Sequence, residues 1–121
     1  VIYPAAHYGR DALVGIALFL TMLAKRGMTM TELRRTYPQY FMAKDKVQLR
    51  PDADIDAMLA RVKAHYSDAT ITDIDGIKVD FPDRWVQVRR SNTEPIIRIY
   101  TEAHTMDEAT ALAAEVKALL E

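Results

Sequence analysis

The sequence predicts an α+β domain, an antiparallel sheet with two helices on one face, preceded by a helical segment of different character. Alternating apolar runs separated by turn residues predict the sheet, and two one-sided apolar stripes predict the helices. A third observation sets the N-terminal segment aside: residues 11–24 are apolar on every side.

Residues 1–9 read as a short strand, Val1-Ile2-Tyr3, running into a loop at Pro4. The apolar run that follows falls short of the roughly 20 residues of a membrane span. It reads as a helix buried from all directions. Lys25-Arg26-Gly27 supplies its stop, with cations in the last turn and glycine beyond. Nothing else in residues 1–40 is large enough to cover such a helix, so its partners are expected in an upstream α/β domain of which this is the tail. The chain opening on Val1 suggests the same. A short helix, Thr31 to Arg35, takes Thr29 or Thr31 as its cap and is broken by Thr36-Tyr37-Pro38. The boundary is placed at residues 36–41, giving an N-terminal segment of residues 1–40 and a C-terminal domain of residues 41–121.

Within the C-terminal domain, residues 40–49 alternate, with Phe41, Ala43, Val47 and Leu49 on one face and Lys44, Lys46 and Gln48 on the other; Asp45 interrupts the apolar face. Pro51-Asp52 is expected to start a helix whose stripe is Ile55, Met58, Leu59 and Val62. A strand at 70–74 meets Asp75-Gly76, a hairpin-turn signal, and alternation resumes at Ile77, Val79 and Phe81. Further strands are expected at 84–90 and 95–102. The last helix opens on the capping box Thr105-Met106-Asp107-Glu108, and its stripe is Ala109, Leu112, Ala113, Val116, Leu119 and Leu120.

Composition narrows the function. Half of the 121 residues are apolar, enough for a core, and the formal net charge is −1. A near-neutral balance argues against a nucleic-acid or anionic-membrane surface. The chain has no cysteine, so thiolate chemistry is excluded and a reducing, cytoplasmic setting fits. His7, His65 and His104 are too scattered for metal-ligand spacing. The methionines fit packing or surface positions.

The chemistry concentrates in Arg89-Arg90-Ser91-Asn92-Thr93-Glu94-Pro95 and in Arg98 beyond it. This is a short loop of hydroxyls, an amide and cations between two strands. If Val86, Val88, Ile97 and Ile99 face the helices, then Trp85, Gln87, Arg89, Arg98 and Tyr100 face the other way, and Arg90 does not. Two guanidiniums beside Ser91, Asn92 and Thr93 make a phosphate cradle. The same residues also suit a plain turn, and the arginines suit solvated strand positions or pairing with Glu94 and Glu102. Spacing alone leaves these readings level. Trp85 and Tyr100 are read as sheet-face packing in preference to sugar stacking.

The run Arg89-Arg90-Ser91-Asn92-Thr93-Glu94-Pro95-Ile96-Ile97-Arg98 resembles the C-terminal phosphate-binding signature of the α-D-phosphohexomutases, the phosphoglucomutase and phosphomannomutase family. The resemblance extends through Asp75-Gly76-Ile77-Lys78-Val79-Asp80-Phe81 and the helix start Gly9-Arg10-Asp11-Ala12. It implies a TATA-box-binding-protein-like fourth domain from about residue 42, and the end of a third domain in residues 1–35. By position it implies that Arg89, Ser91, Asn92, Thr93 and Arg98 bind a substrate phosphate, that Glu94 organises the loop, and that Arg90 occupies a variable place. The implied partners are a hexose phosphate and the upstream domains of the same chain, with no nucleic acid and no membrane.

The implied reaction is intramolecular phosphoryl transfer between the 1- and 6-positions through a bisphosphate. The phosphoserine, the Mg²⁺-binding aspartates and the sugar loop would lie upstream. This chain alone is therefore expected to hold no cofactor and to be inactive. Asn92 in the signature suggests glucose or mannose phosphates. His7, Tyr8 and Arg10 would lie near the end of the sugar loop, although a helix-start cluster capped by Asp11 accounts for them as well. The rival reading is a non-enzymatic module using the open sheet face for a protein or nucleic-acid partner.

Overall fold

Alternation in the second half of the chain becomes a single sheet. A computed structural model describes residues 1–121. They divide into two units, Val1–Pro38 and Gln39–Glu121.

The C-terminal unit has five strands: β1 (Phe41–Gln48), β2 (Thr70–Thr72), β3 (Ile77–Asp80), β4 (Trp85–Arg90) and β5 (Ile96–Ala103). Their spatial order is β1-β5-β4-β3-β2, and every neighbouring pair is antiparallel. The interior strand β5, between β1 and the central β4, is well buried, and Ile97 and Ile99 are fully so. Helices α3 (Ile55–His65) and α4 (Met106–Leu120) both lie on the face that Val47, Val79, Val86 and Val88 present. α4 packs on β1 and β5, and α3 packs on α4 and β3. The expected α+β architecture, with two helices on one face of an antiparallel sheet, is the one observed. Burying each of these aliphatic side chains contributes about 1.5–3 kcal/mol.

Thr101 and Asp45 are polar residues set into the apolar face, and both are satisfied there. The hydroxyl of the fully buried Thr101 donates to the Ala109 carbonyl at 2.7 Å, tying β5 to the first turn of α4. Asp45 accepts from Lys117 Nζ at 3.2 Å, tying β1 to the last turns of the same helix. α4 opens on the expected box: Glu108 N–H donates to Thr105 Oγ1, and the Thr105 N–H donates to Glu108.

Two expectations need correction here. Helix α3 starts at Ile55 and not at Pro51-Asp52, because Asp54 is the first residue whose side chain can accept from the new helix, bonding Ala57 N–H at 3.0 Å. Residues 50–53 form a turn instead, closed by Ala53 N–H on the Arg50 carbonyl. Strand β2 ends at Thr72, and Ile74 is 92% exposed in the loop that Gly76 closes at φ 72°.

The N-terminal unit holds α1 (Ala12–Arg26) and α2 (Met30–Arg35). Asp11 caps α1 through the Val14 N–H at 2.9 Å, and Gly27 ends it at φ 60°. Thr29 and Glu32 form a capping box for α2. Val1-Ile2-Tyr3 is not a strand; Tyr3 makes only an isolated bridge to His7. Nor is α1 buried from all directions. None of its residues is buried, and Leu13, Ile16, Leu18 and Leu20 are all exposed. Leu33 of α2 is the one fully buried residue of this unit, which has too little chain to cover both sides of α1. No helix is long and apolar enough to cross a membrane.

Candidate functional site

Residues 91–95 join β4 to β5, and the register of those strands sets Arg89 directly opposite Arg98. Both face away from the helices, as strand parity requires, whereas their inward neighbours Val88 and Ile97 are fully buried. The loop is closed by two backbone bonds: Ser91 N–H to the Ile96 carbonyl at 3.0 Å, and Ile96 N–H to the Glu94 carbonyl at 2.8 Å. Ser91 is 7% exposed, whereas Asn92, Thr93, Glu94 and Pro95 stand in solvent.

The Ser91 hydroxyl sits at the junction, accepting from Arg98 Nη2 at 3.4 Å and, at 3.5 Å, from the Thr93 N–H. Arg98 Nη2 also meets Glu94 Oε2 at 2.6 Å. The Tyr100 hydroxyl and the Glu94 carboxylate both favour the charged form of Arg98 and hold its pKa above the usual value. Backbone N–H groups of Asn92 and Glu94 have no acceptor within the chain, and neither the Asn92 amide nor the Thr93 hydroxyl is engaged. The loop therefore presents several open donors beside two fixed cations, an arrangement suited to an anion with several oxygens.

Arg89 is held from a neighbouring loop, with Nη1 2.7 Å from Asp75 Oδ2. Asp75 gets there because Gly76 allows it. A Cβ at residue 76 would overlap the Val88 carbonyl and lie 2.8 Å from the Arg89 Cα. Sequence reasoning treats Asp75-Gly76 as a turn signal and misses this role. Counting register back from Ile77, which pairs with Val88, would find it.

The remaining candidates separate cleanly. Arg90 points to the helix side, lining a hollow with Asp54, Asp56 and Gly76. Glu94 bonds Arg98, and Glu102 accepts from the Trp85 indole N–H at 3.0 Å. That bond, with Lys78 5.3 Å from the indole centroid, engages Trp85 in the sheet face. His7 bonds the capping Asp11 at 2.8 Å, and Tyr8 is exposed. No group of three or more His, Cys, Asp or Glu side chains is placed to hold a metal ion.

An open-faced sheet with two helices behind it and a cation-flanked hairpin loop at one end defines the class of domain. Residues 44–119 match the family model described as phosphoglucomutase/phosphomannomutase, C-terminal domain, and the chain belongs to that family. It is 36% identical, over 98% of its length, to the phosphoglucosamine/phosphogalactosamine mutase of Sulfurisphaera tokodaii, and spans 27% of that protein. It is 38% identical, over 90% of its length, to the phosphoglucomutase/phosphomannomutase of Thermococcus kodakarensis, and spans 24% of it. Among solved structures, a phosphoglucomutase/phosphomannomutase family protein from Burkholderia thailandensis shares the fold, with a TM-score of 0.52 and 22% identity over 74% of this chain and 19% of that one. The chain thus spans about a quarter of the length of the curated relatives it matches. The resemblance carried by the Arg89–Arg98 signature is borne out at the level of the family.

Proposed function

We propose that this chain is the phosphate-gripping end of a phosphohexomutase, holding the phosphate that does not react while the other end of a hexose phosphate undergoes transfer. The supporting observation is Arg89 facing Arg98 across β4 and β5, beside the buried Ser91 and the open donors of Asn92–Glu94. An entering phosphate takes up the N–H groups of Asn92 and Glu94, the Ser91 and Thr93 hydroxyls and the two guanidiniums. Each charge-assisted bond is worth about 1.5–3 kcal/mol. Some of that is offset, because Asp75 and Glu94 must yield some of their hold on the arginines.

The reaction explains why such a loop is useful. Moving a phosphoryl group between the 1- and 6-positions through a bisphosphate requires the sugar to turn around. A loop that recognises phosphate and ignores the ring serves both orientations. Remote binding energy then positions the reacting oxygen. The phosphoserine and the Mg²⁺ that assists it are assigned to the rest of the full-length protein, so the 121 residues by themselves should show no mutase turnover. The substrate class is a hexose phosphate; Asn92 favours glucose or mannose phosphates over amino-sugar phosphates.

Amide NMR of the 121-residue chain tests the site. Titration with glucose 1-phosphate or mannose 1-phosphate should shift amides confined to residues 89–98. Weak affinity is expected, since one phosphate contact lacks the rest of a cleft. No shift there, with shifts across the sheet face on adding nucleic acid or a protein partner, would instead establish the non-enzymatic module.

A further inference from the structure

The row that holds Arg89 and Arg98 does not stop at β5. Arg98 pairs in register with Lys46 of β1 as well as with Arg89 of β4, so three cations stand side by side across the open face. Lys46 and Arg98 line one hollow of about 330 Å³, together with Lys44, Ile96 and Tyr100. Charge is distributed unevenly along this row. Arg89 pairs with Asp75 and Arg98 with Glu94, so each arginine and its carboxylate together carry no net charge. Lys46 is in none of the ion pairs of the chain, and its side chain is exposed.

Elsewhere on this face Lys78 pairs with Asp80 and Glu102 accepts from Trp85. Lys44, 5.9 Å from the Tyr100 centroid, is also in no ion pair but lies opposite Tyr100, two residues further from the loop than Lys46. Asp45, adjacent in sequence, points through to the helix side and bonds Lys117. Of the three cations in the row, Lys46 is the one with no carboxylate partner.

Resting on the phosphate-gripping reading, we infer that Lys46 is a third phosphate-binding cation, supplying from β1 the net attraction that the two paired arginines lack. An anion arriving at a loop of balanced ion pairs gains little until the carboxylates move aside. A free ammonium one strand away draws it in and shares its charge once bound. Lysine suits this place because its flexible stem reaches a phosphate edge without the fixed fork of arginine.

The test is titration of the 121-residue chain with inorganic phosphate, read from the amides of Asn92 to Glu94, at several salt concentrations. Lys46→Met should weaken binding about two- to fivefold at low salt, the scale of an exposed ion pair. That gap should close as salt rises, and Lys46→Arg should keep most of the affinity. Lys63→Met removes the same charge from α3, where Lys63 pairs with Asp73, and should leave phosphate affinity near that of the parent. Unchanged thermal unfolding of the Lys46 variant separates lost attraction from lost fold. Equal affinity in the parent and Lys46→Met overturns the inference and leaves the loop reading intact, as does equal weakening by both lysine variants. A parent chain whose loop amides never respond to phosphate overturns both readings.

Discussion

Arg89, a phosphate ligand on the reading proposed above, is held in place by a neighbouring loop. Its guanidinium is aimed by strand parity and steadied by Asp75, whose loop comes close only because residue 76 has no Cβ. On the proposed phosphate-gripping reading, Arg89→Ala in the full-length protein should raise KM sharply and lower kcat as well, since remote phosphate binding would also orient the reacting end; unchanged steady-state kinetics would remove the cradle role. Gly76→Ala acts on fold and site together. A left-handed φ and a collision with backbone at Val88 and Arg89 should cost about 2–4 kcal/mol in urea unfolding, with the Arg89 side chain displaced. A fully stable Gly76→Ala chain would mean that the close approach is not required.

At the scale of elements, the ties between strands and helices are short polar bonds set into an apolar face. The Lys46 backbone N–H and then the Lys117 ammonium hold the Asp45 carboxyl below its usual range. Asp11, at the cap of α1, is depressed by the Val14 N–H and then by His7; Glu32, in the box of α2, by the Thr29 backbone and hydroxyl. Folded-state pKa values below the unfolded ones place the associated stability above the unfolded carboxyl range, near pH 4, and remove it as pH falls through the folded values. Unfolding monitored by circular dichroism should therefore steepen below about pH 4. Asp45→Asn should flatten some of that limb while costing at most about 1 kcal/mol at neutral pH, because the pair is partly exposed. An acid limb identical in the variant would exclude Asp45 from it.

Taken whole, the chain contains one unit with a core and one almost without. Residues 39–121 bury β-sheet and helix faces against each other, while residues 1–38 bury only Leu33 fully. Hydrogen exchange should reflect this, with amides of β4, β5 and α4 protected by orders of magnitude more than those of α1. Comparable protection in α1 would show that its exposed leucines are covered in solution. The near-neutral charge belongs to this scale too, since it leaves attraction of anions to local features such as Lys46.

Much of this is legible in the sequence. Period-two alternation places Val86, Val88, Ile97 and Ile99 inward and Arg89 and Arg98 outward, because a strand allows its side chains only two directions. Thr105 and Glu108 announce α4 by the same local logic, and the signature around Ser91 identifies the family. Other features rest on contacts between residues distant in sequence: Asp75 against Arg89, Lys117 beneath Asp45, Lys46 completing a row begun on β4. Local pattern decides which way a side chain points. Only strand order and register decide which side chain stands beside it, because those neighbours come from strands far apart in the chain.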